Sequence, residues 1–328
     1  MKSKSNSTTT FSQQTSSFVK RNPAWMAVLI GVLLYVITVM VVPTALSVQA
    51  ISTLTMMTLL LSFTAIGQTI VLIGGGVDLS VGSVMSASAI FAAAIMNGQD
   101  GRFIPAFLFA IVMGATVGLV NGICTTKIHL PPLIVTLVVS NLVAQLQFVF
   151  LGGRQFGFAG PRFIQTVIGR LIGDIPNIVF YALILFPLAF FILKGSRFGK
   201  QLYLMGNNIQ AARLSGINVN KIRILSYVLS GIFAGFAGLL GVGMMQTAQA
   251  QMFEEYAFNS LIAVIIGGTT FAGGVGGYGG SIAGAMLMVM LSNMLSAFQL
   301  SQPVRNLVLG GVLMLLLVMY NRKKPVRE

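Results

Sequence analysis

The feature that most constrains this chain is a succession of apolar runs separated by short polar intervals, at about 24–42, 53–73, 84–96, 103–123, 132–151, 178–193, 225–246, 259–271, 281–300 and 306–320. Most approach the ~20 residues that a helix needs to cross a bilayer. In hydrocarbon every backbone N–H and C=O must find its partner within the protein, and runs of this length without β alternation do so as helices. The expectation is an all-α polytopic membrane protein with about ten transmembrane helices and a single membrane domain over residues 23–321. The composition agrees: 55% of residues are hydrophobic and 8% charged, against ~25% charged in a soluble domain.

The cations test that count. An even number of spans puts both ends of the chain on one side, with the loops alternating. The Ser/Thr-rich segment 1–22 carries four Lys or Arg and no acid, the interval around Lys127 one, the interval 194–223 six, and the segment 322–328 four. The opposite loops hold Arg102, Arg154, Arg162, Arg170 and Arg305. Fifteen cations against five supports cytoplasmic termini, because Lys and Arg accumulate in cytoplasmic loops. The segments 1–22 and 322–328 are read as basic cytoplasmic tails, the first disordered. The net charge of +14 thus reflects topology and implies no nucleic acid.

Two polar intervals stand out. Lys194–Arg223 contains six cations and no acid, and within it Asn207 or Asn208 can cap a helix over Ile209–Leu214 that Gly216 ends in a left-handed conformation. So short a helix needs something to pack against. The second interval, Gly74–Ser83, puts three glycines where a span should continue, which predicts a broken or re-entrant segment before the short run 84–96. Asp78, with Ser80 and Ser83, can cap the helix that restarts there, or touch a polar solute or ion.

The residues GGGVDLSVGS (74–83) resemble a signature of the ribose-type, monosaccharide permease subunits of bacterial ABC importers, in the branched-chain amino acid/ribose permease superfamily. Three further stretches follow in the same order. Asn121-Gly122 with His129–Leu137 is similar to the family's NG and IPPFIVTL segment. Phe198–Lys200, Gly206–Asn208, Ala211–Ile217 and Ser230-Gly231 resemble its cytoplasmic coupling loop. Ile266–Thr269 with Gly273–Gly276 resembles its late glycine motif. The family often has a Gly and an Arg-Gly pair where this chain has Val138 and Ala144-Gln145, and acidic residues where Ala257 and Asn259 stand.

The resemblance implies a permease subunit in the bacterial inner membrane that imports a monosaccharide or sugar-like solute. It implies a second permease copy or homologue, ABC ATPase subunits docked from the cytoplasm, and a periplasmic or lipid-tethered binding protein. Asn208, Ala211, Ala212, Arg213, Leu214 and Gly216 then form the coupling contact, and Gly75, Gly76, Asp78, Ser80, Gly82 and Ser83 the broken-helix signature.

The chain has no G-x-x-x-x-G-K-[ST] loop, so ATP and Mg are expected on the partner ATPases and no cofactor on this chain. Gly274–Gly279 spells G-x-G-x-x-G, but it follows an apolar run and no acid lies between Glu255 and Glu328 to hold a ribose. The four-residue glycine spacings 114/118/122, 231/235 and 276/280/284 suit close helix packing instead. One Cys and one His exclude an internal disulfide and a His cluster. Nothing forms a nucleophile–base set, so the chain is not read as an enzyme.

Asn141 and Gln145 share a helix face, and Ser292, Asn293 and Ser296 cluster on another helix. With Asn121, the amides Asn141, Gln145 and Asn293 are the candidate pathway residues, each equally open to interhelical hydrogen bonding. Asn121–Pro131 and Asn293–Pro303 repeat one ten-residue interval on helices that run oppositely, the pattern of an inverted repeat. Rival readings are a stand-alone secondary transporter or channel, which needs an ionisable group in mid-bilayer, and a membrane-bound assembly factor, which predicts no uptake.

Overall fold

The computed structural model describes residues 23–152 and 157–321. Both basic tails and Arg154 fall outside that range. The chain forms thirteen α-helices among the described residues: α1 Pro23–Val41, α2 Val48–Ile73, α3 Val81–Met96, α4 Phe103–Thr126, α5 Pro132–Leu151, α6 Pro161–Ile168, α7 Ile178–Phe190, α8 Arg197–Asn207, α9 Ile209–Leu214, α10 Val219–Met245, α11 Tyr256–Ile266, α12 Tyr278–Ala297 and α13 Gln302–Asn321. Each of the ten apolar runs falls on one of these helices. Seven described helical segments are long and apolar enough to cross a membrane, with α3 and α11 as shorter apolar helices.

Three differences from the expectation have local causes. The all-α reading fits, with one small addition: an antiparallel hairpin of β1 Arg170–Ile172 and β2 Ile175–Pro176, turned at Gly173-Asp174, a pair that suits a two-residue hairpin loop. The run 259–271 is helical only to Ile266, because Gly268 takes φ +96°. The interval 194–223 is mostly helix: Ser196 accepts the Gly199 N–H at 3.0 Å and so starts α8, and α10 begins already at Val219.

Two central helices organise the bundle. Every residue of α2 from Leu60 to Ile73 is buried, and α10 packs against α2, α3 and α4. A helix covered on all sides lies inside a bundle and not at its lipid face. Lipid is as apolar as leucine, so what holds such helices together is close packing and interhelical hydrogen bonding.

The α4–α10 seam shows how close. A Cβ added to Gly114 would lie 2.1 Å from the Gly231 carbonyl oxygen, and one added to Gly118 would lie 2.2 Å from that of Tyr227. Gly280 and Gly284 do the same for α12 against Gly267 and Ala263. Gly276 is no member of that stripe: it sits in the loop before α12 with φ +143°.

At one end of the bundle lie the α1–α2, α3–α4 and α5–α7 connections, joined by the Gly98 N–H to the Phe158 carbonyl and by the Arg170 guanidinium to Gln49. The other end carries residues 127–131, α8, α9 and the 267–277 loop.

Gly118→Leu forces the α4 and α10 backbones apart, and overpacking of this kind costs roughly 1–3 kcal/mol or more. The expected result is a lowered Tm in detergent and loss of the monodisperse peak in size-exclusion chromatography. Gly310→Leu, with open space around it, leaves both unchanged.

Candidate functional site

The break after α2 is built by its glycines. Gly75 has φ +77°, donates to the Leu72 carbonyl at 3.0 Å, and Gly76 donates to that of Val71 at 3.0 Å. This is the double backbone bond that closes a helix through a left-handed residue. The chain then turns back, and α3 restarts at Val81. The extended return is buried in protein, as exposed backbone at membrane depth must be.

Asp78 lies at the centre of this return and is fully buried. One carboxyl oxygen accepts the Ser80 N–H at 3.0 Å and the Ser80 hydroxyl at 2.6 Å. The other accepts the Ser230 hydroxyl of α10 at 2.8 Å. Asn121 of α4 donates to Ser80 Oγ at 2.8 Å, and Thr136 Oγ1 of α5 accepts the Leu79 N–H at 3.1 Å. The carboxyl group thus ties the break to α10, while Ser80 and Leu79 tie it to α4 and α5.

Capping describes part of this. Asp78 does hold the N–H just ahead of α3, but Ser83 donates to the Ser80 carbonyl at 2.9 Å and caps no N–H. Gly82 allows the first turn of α3 to meet the 246–255 segment, where a Cβ would lie 2.6 Å from the Glu254 carbonyl oxygen.

At the end of the bundle that carries α8, α9 forms over Ile209–Leu214. Asn208, not Asn207, is its cap, accepting the Ala211 N–H at 3.0 Å. Gly216, φ +77°, donates to the Arg213 carbonyl at 3.0 Å and ends it. Ala212 is buried and seats the helix, so it offers no surface to a partner. Arg213 is exposed, and Leu214 stands 91% exposed, a large apolar side chain with no cover.

Phe198–Lys200 and Gly206–Asn208, singled out by the resemblance, fall on α8 and at its end. Gly206 lies against the end of α2 so closely that a Cβ would meet the Ile73 carbonyl oxygen at 2.0 Å and the Gly274 nitrogen at 2.4 Å. The Gly274 N–H donates to the Ile73 carbonyl at 2.8 Å, and Tyr203 Oη to that of Gly276 at 2.9 Å. Burial raises the Tyr203 phenol above its ordinary range. The break after α2 and the late glycine loop thus meet under α8.

The four candidate pathway amides do not converge. Asn121 is a buried strut of the break. Asn141 and Gln145 lie on the exposed face of α5, among exposed Leu137, Val138, Leu142 and Leu146. Asn293 lines a separate cavity of about 530 Å³ between α2, α11, α12 and the start of α13. Gln147, two residues beyond Gln145 and so off its face, is fully buried, donates to the Ser83 carbonyl at 2.9 Å and accepts the Gln251 N–H at 3.0 Å.

These features define a transport-type membrane subunit: a bundle organised around a buried helix break, with a short helix presented at one end. The chain belongs to the family described as branched-chain amino acid transport system / permease component, which it matches over residues 50–317. It is 34% identical over 264 residues to the ribose import permease protein RbsC of Escherichia coli K12, covering 79% of this chain and 82% of that protein. The ribose import permease protein of Haemophilus influenzae is 31% identical over 277 residues, 82% of this chain and 84% of its own. The galactose/methyl galactoside import permease protein MglC of Salmonella typhimurium is 28% identical over 305 residues, 86% and 90%. No solved structure matches.

Asp78→Leu leaves the Ser80 and Ser230 donors unpaired, at roughly 1–3 kcal/mol each. It is expected to abolish folded, monodisperse protein, whereas Asp78→Asn keeps an acceptor oxygen and lowers the detergent Tm while remaining folded. Equal melting of wild type and Asp78→Leu would remove the structural role.

Proposed function

We propose that this chain is the permease subunit of a bacterial ABC importer that carries a monosaccharide or sugar-like solute into the cytoplasm, with ATP and Mg bound by separate ATPase subunits. The observation that carries the reading is the match over residues 50–317 together with relatives that import ribose and galactosides. The end that carries α8 and α9, with Lys127 and the six cations of 194–223, faces the cytoplasm. Ten spans follow when α3 and α11 are counted with their extended return segments and α13 is included. The packing of α4 on α10 and of α12 on α2 supports an inverted repeat relating α1–α5 to α7 and α10–α13.

The partners follow from uncovered surfaces. Asn141 and Gln145 are too polar to face lipid, so a second permease copy or homologue meets α5 across the pathway. The projecting α9 enters a groove of the ATPase, with Leu214 as the apolar anchor and Arg213 beside it. A periplasmic or lipid-tethered binding protein delivers solute at the opposite face. ATP-driven closure of the ATPases biases the two permease states because the partners bind those states unequally. The rival, ion-coupled transport, is disfavoured because the carboxyl oxygens of Asp78 are already engaged by Ser80 and Ser230.

Reconstitution in liposomes with and without ATPase and binding protein tests this. Labelled sugar is expected to enter only with both partners and ATP; uptake by the chain alone on an ion gradient would end the importer reading. Leu214→Asp is expected to reduce substrate-stimulated ATPase about tenfold, the scale of one lost interfacial anchor, with membrane insertion intact.

A further inference from the structure

The bundle contains a second helix break. The chain leaves α10 at Gln246, φ +68°, and residues 246–255 run back into the protein as far as the first turns of α3 before α11 begins at Tyr256. The Phe253 N–H donates to Ser86 Oγ at 2.9 Å, and the Glu254 carbonyl oxygen lies so close to Gly82 that a Cβ there would stand 2.6 Å from it. Gln251 turns in the left-handed region, φ +60°, a conformation that is costly for a residue with a Cβ. Such a turn persists where its surroundings hold it.

What holds it is α5. Gln147 Oε1 accepts the Gln251 N–H at 3.0 Å, and Gln147 Nε2 donates to the Ser83 carbonyl at 2.9 Å. Towards the other end of α5, Thr136 Oγ1 accepts the Leu79 N–H of the first break at 3.1 Å. Both side chains are fully buried. Eleven residues separate them, about three turns and about 16 Å of helix, so they stand on one face. The helix is therefore fastened to the first return by Thr136 and to the second by Gln147.

The opposite face is the exposed polar one. Asn141 and Gln145 lie about 140° and 180° round the helix from Thr136. The remaining buried residues of α5 are Val135, Ala144 and Leu151, whose apolar contacts are not directional. An amide that gives and accepts at once fixes both distance and angle.

We infer that Gln147 is the positioning residue of the pathway helix. Together with Thr136 it locks α5 to the two returns, so that helix and returns move as one body and Asn141 and Gln145 keep their place on the far side. The inference rests on the reading that sets α5 across the pathway from a second permease copy, and it names what holds that helix in register. Gln147 touches no solute. Its effect reaches the pathway through the backbone of α5, so it acts on the rate of passage and not on capture of the solute.

The test uses the full complex with ATPase and binding protein in liposomes, and a panel of labelled pentoses and hexoses. Gln147→Met keeps the length of the side chain and loses both hydrogen bonds. It is expected to lower the maximal uptake rate about tenfold, the scale of one lost buried hydrogen bond, with the KM for loaded binding protein unchanged. Thr136→Val, close in shape and unable to accept, is expected to do the same from the other end. An unchanged maximal rate in Gln147→Met, or a raised KM at an unchanged rate, overturns the inference and leaves the importer reading standing. Absence of uptake of every sugar by the wild-type complex overturns the importer reading itself.

A distance measurement decides the positioning role without relying on uptake. In a Cys124→Ala background, nitroxides at Leu142→Cys on α5 and Glu254→Cys in the second return, both exposed, are expected to give one narrow distance that is the same without nucleotide and with ATP trapped on the ATPases. A shift of about one helical turn between those states separates α5 from the return and overturns the inference, even if Gln147→Met fails to fold. Where that variant does fold, the distance is expected to broaden, in the complex and in the subunit alone; a distribution as narrow as that of the wild type overturns the inference as well.

Discussion

A carboxyl group in the interior of a membrane bundle must be given hydrogen-bond donors, and the structure depends on how Asp78 obtains them. Ser80 supplies two from its own segment and Ser230 one from α10. Because the donors sit on different elements, the same bonds that satisfy Asp78 fix where the chain re-enters the bundle. They also fix which helix it meets. Asn121 and Thr136 then complete the shell from α4 and α5. The re-entrant turn is therefore held from several sides, which is the condition for irregular backbone at membrane depth.

Much of the architecture was legible in the chain. The apolar runs located the helices because hydrocarbon leaves the backbone so few alternatives. The short helix α9 was legible over Ile209–Leu214, with its cap open between Asn207 and Asn208, because such caps and Gly216 are local signals that act over a single turn. Glycines spaced four apart announced the α4–α10 seam, though Gly276 showed that spacing alone does not place a residue on a helix. What was hidden depends on contacts far apart in sequence. Nothing in Gly206 announces Ile73 and Gly274, and nothing in Asn121 says that it braces Ser80. The single amide in the run 53–73, Gln68, is fully buried, and a reading built on pairs of polar residues passed over it. The hairpin at 170–176 was hidden because a membrane composition turns attention away from strands.

The end of the molecule that carries α8 and α9 shows how two distant parts of the chain are made to answer to one surface. The glycine closure after α2 and the late glycine loop before α12 come together under Gly206 and Tyr203. α9 joins α8 through one residue, Asn208, and α8 in turn touches both loops. Glycine is used here for closeness, and closeness is what makes the contact stiff.

The α4–α10 seam carries a consequence for how the molecule can change shape. Where side chains interdigitate, two helices can exchange one set of contacts for another by rotamer hops. At Gly114, Gly118, Gly231 and Gly235 main chain rests on main chain, and there is nothing to reshuffle. It follows that α4 and α10 are held as one unit, since neither can slide on the other without a backbone clash. The same closeness recurs at Gly67 on Ser230 and at Gly280 and Gly284 on Gly267 and Ala263, so the α2–α10 and α11–α12 pairs are held in the same way.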